Sequence, residues 1–255
     1  MRCAQAAAAW DNQLEAAAHH PPTYAEFLAN LLGVEVAARR ERYLRTRTRL
    51  AHWPFVRTLE QFDFSFQPSI DERPMRELAT LTFVAEASNV LFLGPPGVGK
   101  TPLAVALGLR ATEQGYGVYF VRAQDLLEDL RRAPAEHRLD RRLRISVAPK
   151  LLIIDEFGLW AYDRTAATAL FALIAARYER GSIIVTSNKG FAEWGEVLGD
   201  TVIPTAVLDR LIHHRYVINI RGETLLPKGN PLRMWVKSQL VPGGQKYAGV
   251  DTSAI

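Results

Sequence analysis

Short apolar runs alternate with longer segments of helical periodicity between residues 90 and 220. The apolar runs, each long enough for one buried strand, are 90–93, 118–121, 151–154, 183–186 and 217–220. Between them, apolar side chains recur every three or four residues over 101–114, 123–145, 164–179 and 204–214. Strands that are apolar throughout are typical of parallel sheets covered on both faces. The pattern therefore predicts an α/β fold in which helical layers enclose a central five-stranded parallel sheet.

The N-terminal part of the chain has a different pattern. Over 11–53 the apolar residues keep helical spacing, interrupted at Pro21 and Pro22. The segment 54–74 carries three prolines and four phenylalanines, which predicts an extended connector packed on a domain surface. The predicted boundaries are 1–56 for a small all-α N-terminal domain, 57–74 for the connector, 75–223 for the strand-and-helix domain and 224–255 for a divergent tail.

Composition limits the class of protein. The 255 residues suffice for one sizeable domain with a smaller one attached, and 48% hydrophobic with 23% charged residues are ordinary values for a folded globular protein. Cys3 is the only cysteine, which excludes an intrachain disulfide and a cysteine-based metal site. The sequence contains no run of about 18 apolar residues. We expect a cytoplasmic protein without a membrane partner.

The first apolar run leads into a sequence that matches the phosphate-binding pattern of a glycine, four residues and then Gly-Lys-Thr. In such a loop, backbone N–H groups turn toward phosphate oxygens at the positive end of the following helix. We expect Lys100 to neutralise the β- and γ-phosphates of ATP, and the Thr101 hydroxyl to coordinate Mg²⁺. A glycine-rich turn that merely begins a helix is the alternative. The predicted cofactor-binding residues are Gly94, Pro95, Pro96, Gly97, Val98, Gly99, Lys100, Thr101 and Pro102.

Two acids, Asp155 and Glu156, directly follow the apolar run 151–154. A buried central strand delivers such residues to the carboxyl edge of the sheet. We expect Asp155 to hold the hydration shell of Mg²⁺ and Glu156 to orient water for in-line attack on the γ-phosphate. Taken alone, acids at a strand end are often a helix cap or a turn. Together with the upstream phosphate loop, they predict a Mg²⁺-dependent ATPase.

A third strand end also carries polar side chains. The run that begins at Ser182 finishes in Thr186, Ser187 and Asn188, at the sheet edge where the γ-phosphate is expected. Asn188 is positioned to hydrogen-bond the attacking water. The alternative is a turn-forming asparagine ahead of Lys189.

Several motifs together carry a resemblance to a known family. The segments GPPGVGKT, LLIIDE, IIVTSN and VLDRLIHH resemble the AAA+ ATPases of the helicase-loader group. Within that group, LEQFDF at 59–64, RYERGS at 177–182 and FAEWGEVLGD at 191–200 are most similar to the IstB-like insertion-sequence ATP-binding proteins, which are related to DnaC. The similarity extends over about 27–223, which is most of the chain.

The resemblance implies an AAA+ P-loop NTPase fold of three layers over 75–223. It also implies an ATP-dependent helper that assembles as a homo-oligomer on double-stranded DNA, remodels target DNA and stimulates a cognate transposase. By the same resemblance Asn188 takes the sensor-1 position. Arg210 takes that of the arginine finger, which reaches the γ-phosphate bound by a neighbouring subunit. The alternative for Arg210 is a surface arginine paired with Asp209.

Two other functions remain open at this point. A DnaC-like replicative helicase loader has the same ATP site, so the site motifs do not separate it from a transposition helper. A module that binds nucleotide or DNA without useful hydrolysis is the third interpretation. It is motivated by Pro102, where family members commonly have histidine, and by the tail 224–255, which looks unrelated to the family.

Two groups of arginines suggest a polyanionic partner in a chain whose formal net charge is +4. Members of each group share one helical face, and arginines in such an arrangement contact DNA phosphates without reading sequence. A solvated charged face or a subunit contact is the alternative for each group. The DNA-binding candidates are Arg42, Arg45, Arg49, Arg138, Arg141 and Arg142.

Overall fold

The computed structural model describes residues 3–19, 21–66, 69–132, 139–198, 202–212 and 215–221. The strands are β1 (Asn89–Leu93), β2 (Val118–Arg122), β3 (Leu151–Phe157), β4 (Ser182–Ser187) and β5 (Arg215–Asn219). The α-helices are α1 (Ala4–Ala8), α2 (Trp10–His19), α3 (Tyr24–Leu50), α4 (Glu72–Leu78), α5 (Thr82–Ala85), α6 (Lys100–Glu113), α7 (Ala123–Arg132), α8 (Leu139–Val147), α9 (Arg164–Arg177), α10 (Trp194–Leu198) and α11 (Val202–Ile212). Short 3₁₀ turns lie at Leu59–Gln61, Phe64–Phe66 and Phe191–Glu193.

The strands form one parallel sheet in the order β2-β3-β4-β1-β5. This confirms the predicted α/β fold with a five-stranded parallel sheet. Because β1 lies between β4 and β5, the chain that leaves its carboxyl end meets the ends of both neighbours. The ends of β3 and β4 are adjacent at the same edge.

Alternating strand residues enter two separate cores, as the period of a β-strand requires. Val90 and Phe92 pack with α6 on one face of the sheet. Leu91 and Leu93 pack on the other face with α7, α9 and α11. The sheet is thus covered on both faces, which explains why its central strands are apolar throughout.

The N-terminal helices are anchored by polar contacts. Thr23 and Glu26 form a capping box at the start of α3. Farther along α3, the buried Glu35 carboxylate accepts hydrogen bonds from the backbone N–H groups of Gln5 and Ala6, at 2.9 and 3.3 Å, and so holds the start of α1. No helix within the described ranges is long and apolar enough to cross a membrane.

The end of α3 contacts the strand-and-helix region. The N–H of Phe120 in β2 donates to the carbonyl of Ala51, at 2.9 Å. Beyond it, Phe62 is buried in the same core as α6. The domain boundaries proposed from the sequence stay predictions, and the tail 224–255 lies outside the described residues.

The predicted helix over 123–145 corresponds to two helices, α7 and α8. Residues 133–138, among them the DNA-binding candidate Arg138, lie outside the described residues. Helix α4 was not predicted; it begins after the N-cap Asp71 and accommodates Pro74 in its first turn. The predicted strand, the apolar run 151–154 with the two acids at its end, corresponds to β3, which continues to Phe157 through an irregular pairing with β4.

Candidate nucleotide-binding and hydrolysis site

The glycine-rich loop between β1 and α6 is held close to two neighbouring strands. The Gly94 N–H donates to the Ser187 carbonyl at 3.2 Å, and the Ile220 N–H donates to the Leu93 carbonyl at 2.7 Å. Gly94 has φ +146°, and a Cβ atom there would lie 2.1 Å from the Ile220 carbonyl oxygen. Glycine is therefore required where the loop begins. Gly99, at φ +100°, directly precedes α6.

Lys100 lies across the loop that precedes it. Its Nζ donates to the carbonyls of Gly94 and Pro95, each at 2.7 Å, and the residue is only 9% exposed. Burial lowers the pKa of the Lys100 ammonium to about 8, although the charges of Asp155 and Glu156 oppose the shift. The Lys100 ammonium lies at the start of a helix, where a phosphate group can bind. A phosphate is a stronger hydrogen-bond partner for this cation than the two carbonyls.

The structure brings Thr101 and Asp155 together. The buried Asp155 Oδ1 accepts a hydrogen bond from the Thr101 hydroxyl at 2.8 Å and another from Thr186 at 2.5 Å. Burial raises the pKa of the Asp155 carboxyl, and these hydrogen bonds together with the charges of Lys100 and Arg122 oppose the rise. A hydroxyl and a carboxylate beside a phosphate loop are ligands that suit Mg²⁺. The residues present therefore fit a Mg²⁺–nucleotide complex.

Glu156 presents an exposed carboxylate next to Asp155. Its backbone has φ +59°, and its N–H donates to the Thr186 hydroxyl oxygen at 2.9 Å. Partial burial and the neighbouring Asp155 raise the pKa of Glu156, whereas Arg122 and Lys100 lower it. An accessible carboxylate with a raised pKa is suited to accept a proton from water.

Asn188 follows β4, beside the end of β3. Its Oδ1 atom is buried and accepts no hydrogen bond from the described residues. A buried acceptor without a partner is uncommon in folded proteins. It fits a side chain whose partner is a water or a bound ligand.

An aromatic layer supports these strand ends. Trp194 is fully buried, its ring lies 4.5 Å from that of Phe157, and its Nε1–H donates to the Lys189 carbonyl at 3.3 Å. Ser187 Oγ donates to the Phe157 carbonyl at 2.7 Å. These contacts fix the chain just beyond Glu156 and Asn188.

Sequence reasoning missed Arg122 and the contacts that Thr186 makes with the acids. Thr186 was expected at the sheet edge near the γ-phosphate, but nothing in the sequence indicates that it binds both acids. Arg122 is the last residue of β2 and pairs in register with Asp155, so its exposed guanidinium acts on both carboxylates. A basic residue at the end of the apolar run 118–121 was the available signal, but it has no meaning until β2 is known to neighbour β3.

Arg210 lies away from these residues. Asn89, at the start of β1, donates from Nδ2 to the carbonyl of Leu211 at 3.2 Å, so this end of α11 lies at the amino edge of the sheet. The phosphate loop follows the carboxyl end of β1, about 13 Å along the strand. The Arg210 guanidinium packs over the Phe171 ring at 4.7 Å and donates to the Ala206 carbonyl at 3.2 Å. The structure therefore does not bring Arg210 into the phosphate site of its own chain.

The arginine candidates for DNA contact differ in their surroundings. Among them, Arg42 lies 3.6 Å from Glu35, Arg45 lies 3.9 Å from Glu41 and Arg142 lies 3.3 Å from Asp129. Within the described part of the chain, Arg49 and Arg141 form no ion pair.

Comparison with known proteins bears on the identity of the site. The model of the family described as IstB-like ATP binding protein matches residues 1–230. The chain belongs to this family. An ATP-binding protein of insertion sequence IS5376 from Geobacillus stearothermophilus is 48% identical over 215 residues, or 84% of this chain and 86% of the relative. The ATP-binding protein of insertion sequence IS21 from Pseudomonas aeruginosa is also 48% identical, over 84% of this chain and 81% of its own length.

Solved structures resemble this IstB-like chain in fold. The DnaI structure has a TM-score of 0.55 at 19% identity and covers 71% of this chain and 93% of its own. The AMPPCP-bound DnaA of Aquifex aeolicus has a TM-score of 0.51 at 23% identity, over 64% of this chain and 49% of its own. These similarities are likenesses of fold, and they agree with the predicted α/β fold.

Proposed function

We propose that this IstB-like protein binds ATP with Mg²⁺ at residues 94–101 and hydrolyses it. The observation that carries the proposal is the shared hydrogen bonding of Thr101 and Thr186 to Asp155, beside Lys100 and the exposed Glu156. The relatives are named as ATP-binding proteins, which supports ATP as the nucleotide.

Each residue has a distinct role in the proposed reaction. Lys100 gives up its two carbonyl partners for the β- and γ-phosphates, where its charge is better compensated. Thr101 and Asp155 would hold Mg²⁺, which would supply positive charge against the phosphate oxygens. Glu156 accepts a hydrogen bond from the attacking water, and Asn188 orients that water through its otherwise unpaired amide oxygen.

The arginine finger of this site comes from a second copy of the chain. Arg210 is at the opposite edge of the sheet from residues 94–101, so it reaches no phosphate of its own chain. In a ring or helical oligomer, adjacent subunits contact each other through two different surfaces, and in the proposed assembly one carries Arg210 and the other carries residues 94–101. Hydrolysis then depends on assembly, because each site is complete only with the Arg210 of the partner copy.

Double-stranded DNA is the proposed scaffold for assembly. The two helices that carry the arginine groups approach each other beside β2: a Cβ atom on Gly117 would lie 2.6 Å from the guanidinium of Arg47 in α3 and 3.7 Å from Pro149, which follows α8. Exposed ion pairs such as those of Arg45 and Arg142 contribute little and exchange readily for phosphate contacts, whereas the partner of Arg42, Glu35, is buried. The protein partner that acts after assembly on DNA is a transposase in this proposal. The relatives at 48% identity are named for insertion sequences rather than for helicase loading.

Mixing two different variants tests whether the site is completed by a residue of a second subunit. Glu156→Gln removes the water-orienting carboxylate and Arg210→Ala removes the finger, so each variant alone is expected to be inactive with DNA. In mixed oligomers, an intact Glu156 meets an intact Arg210, and ATPase activity returns in part. Arg180→Ala, which removes an exposed arginine near the same edge, is the matched control and keeps full activity. No recovery on mixing, or full activity of Arg210→Ala alone, contradicts the proposal.

A salt titration tests the DNA surface. The double variant Arg49→Ala/Arg141→Ala is expected to bind duplex DNA more weakly. The slope of log affinity against log salt is expected to fall by about one for each phosphate that the variant no longer neutralises. Arg76→Ala, which removes one partner of the exposed Arg76–Glu72 ion pair on α4, is the control. An unchanged slope in the double variant contradicts the proposed surface.

A further inference from the structure

Thr186 is bonded to both acids of the site through a single hydroxyl group. Its hydroxyl donates to Asp155 Oδ1 at 2.5 Å, and the Glu156 backbone N–H donates to the same hydroxyl oxygen at 2.9 Å. A hydroxyl carries one proton and two acceptor lone pairs, so both bonds form at once. Thr186 is only 1% exposed, which keeps water from replacing either partner.

The strand pairing around these residues is irregular at the same point. Ile154 pairs with Val185, but the next pair is Phe157 with Ser187. Two residues of β3, the acids, therefore oppose the single residue Thr186 of β4, which is the arrangement of a β-bulge. A bulge changes the direction of the side chains that follow it. Without it, the side chains of Asp155 and Glu156 would point to opposite faces of the sheet.

Glu156 adopts a conformation that needs support. Its φ of +59° is in the left-handed region, which residues with a side chain rarely occupy. In this conformation the Glu156 backbone N–H donates a hydrogen bond to the Thr186 hydroxyl oxygen. A side chain from the neighbouring strand therefore fixes the direction in which the Glu156 carboxylate leaves the sheet.

We propose that Thr186 is a positioning residue for ATP hydrolysis, which sets the direction of Glu156 and the orientation of Asp155 together. This inference rests on the proposed function, since it concerns the same reaction. In this role Thr186 acts only through the Asp155 carboxylate and the Glu156 backbone N–H. Its hydroxyl holds Asp155 independently of Thr101, so the carboxylate stays oriented when Thr101 turns toward a ligand.

The fold near Thr186 does not depend on its hydroxyl. Beyond the bulge, Ser187 Oγ donates to the Phe157 carbonyl at 2.7 Å and accepts from the Lys189 N–H at 3.1 Å. These bonds tie the ends of β3 and β4 together without Thr186. Removal of the Thr186 hydroxyl is therefore expected to disturb the acids more than the sheet.

The test compares two substitutions at one position. Thr186→Val keeps the shape of the side chain and removes the hydroxyl, whereas Thr186→Ser keeps the hydroxyl. We expect Thr186→Val to lower kcat about 10- to 100-fold with little change in KM or in ATP affinity, as removal of an orienting partner does. Thr186→Ser is expected to keep kcat close to that of the wild type. Thr112→Val is the control, because its buried hydroxyl bonds only the Gly108 carbonyl within α6.

Hydrogen exchange gives a second measurement that needs no activity. Without added nucleotide, the Glu156 amide is expected to exchange faster in Thr186→Val than in the wild type, and to remain protected in Thr186→Ser. A wild-type kcat in Thr186→Val, or a raised KM with kcat unchanged, overturns the inference while the proposed function stands. A Glu156 amide equally protected in Thr186→Val also overturns it. If the wild type itself releases no phosphate, the proposed function fails, and the role of Thr186 fails with it.

Discussion

Thr101 donates a hydrogen bond of 2.8 Å to Asp155 Oδ1, although 54 positions separate the two residues in the chain. The contact links the first turn of α6 to the end of β3. It brings together the two side chains expected to hold Mg²⁺, one from each of two sequence motifs. Neither motif by itself would make a metal site.

The first prediction concerns Mg²⁺. In Asp155→Asn the Thr101 contact survives in part, but the charge that attracts the cation is removed. We expect the Mg²⁺-dependent gain in ATP affinity to fall about 10- to 100-fold. ATP titrations with Mg²⁺ and with EDTA measure the gain directly.

The exposed acid Asp163, which caps α9, supplies the matched control. Asp163→Asn keeps a capping side chain and is expected to leave the Mg²⁺ effect unchanged. If Asp155→Asn retains the full Mg²⁺ effect, Asp155 is not a ligand of the cation.

The second prediction concerns pH and nucleotide binding. The pKa of Lys100 is lowered by burial to about 8, so in the free protein this side chain loses its charge as the pH rises through that value. Phosphate groups favour the charged form, so ATP binding above about pH 8 takes up a proton, and the Kd rises with pH. Calorimetry in two buffers of different ionisation enthalpy measures the proton uptake.

Lys150 provides a control for that experiment, since its Nζ donates to the Arg180 carbonyl near the amino edge of the sheet. Lys150→Ala is expected to keep the same proton uptake as the wild type, whereas Lys100→Arg, which stays charged, abolishes it. A Kd that does not change above pH 8 contradicts the role given to Lys100.

The third prediction concerns Arg122. Its charge lowers the pKa of Glu156, which burial and Asp155 raise. Arg122→Ala therefore raises the pKa of Glu156 further. Because Glu156 acts in its ionised form, the loss of activity on lowering the pH begins at a higher pH in this variant. We expect the acid limb of the profile of kcat/KM against pH to move to higher pH.

That profile is best measured without DNA, so that changes in DNA binding do not contribute. Arg122→Lys keeps the charge and is expected to retain a limb close to that of the wild type. Arg131→Ala removes an exposed arginine at the end of α7 and should not move it. If the acid limbs of Arg122→Ala and the wild type coincide, Arg122 does not act on the carboxylates.

The fourth prediction concerns the start of the phosphate loop. Gly94→Ala adds a Cβ atom 2.1 Å from the Ile220 carbonyl oxygen, at a φ that alanine rarely adopts. The loop or β5 must shift, at a cost of about 1–3 kcal/mol. Thermal denaturation and ATP titration should show a lower Tm and weaker binding.

Gly33 in α3 is the matched position, because a Cβ atom there meets nothing within 4 Å. Gly33→Ala is expected to raise stability by up to about 1 kcal/mol through helix propensity, with unchanged ATP binding. Wild-type Tm and affinity in Gly94→Ala would show that the loop tolerates a side chain.

Local sequence patterns predicted the parts of the site that each depend on one segment. The loop around Lys100 follows from glycine spacing between a strand and a helix, and the carboxylates follow from an apolar strand that ends in acids. Both patterns are short, and their chemistry is contained in the residues themselves. The IstB-like resemblance added roles for Asn188 and Arg210 that no local pattern supplies.

The contacts that sequence reasoning missed depend on which strands are neighbours. Thr186 and Arg122 act on the acids only because β3 lies between β2 and β4, and because a bulge sets two β3 residues against Thr186. Similarly, the arginine clusters look uniform in sequence. Arg142 pairs with Asp129 because α8 folds back against α7, which residue spacing does not reveal.

Arg177, away from the site, is another residue whose contacts the sequence does not reveal. It is 1% exposed, and its guanidinium donates to backbone carbonyls, among them those of Ser146 and Ser182 at 2.8 and 2.7 Å. It thereby joins the end of α8 to the start of β4. In the sequence it is one arginine among many, because its partners are main-chain atoms that carry no sequence signal.

Phosphate release from ATP, measured for the wild type and for Glu156→Gln with and without duplex DNA, tests the central claim most directly. We predict steady release by the wild type with Mg²⁺. In Glu156→Gln we predict a rate lower by about 100-fold or more with ATP affinity preserved, because the variant loses the base and keeps Lys100, Thr101 and Asp155. A wild type that binds ATP and releases no phosphate, or a Glu156→Gln variant that hydrolyses ATP at the wild-type rate, contradicts the claim that this site is a hydrolase.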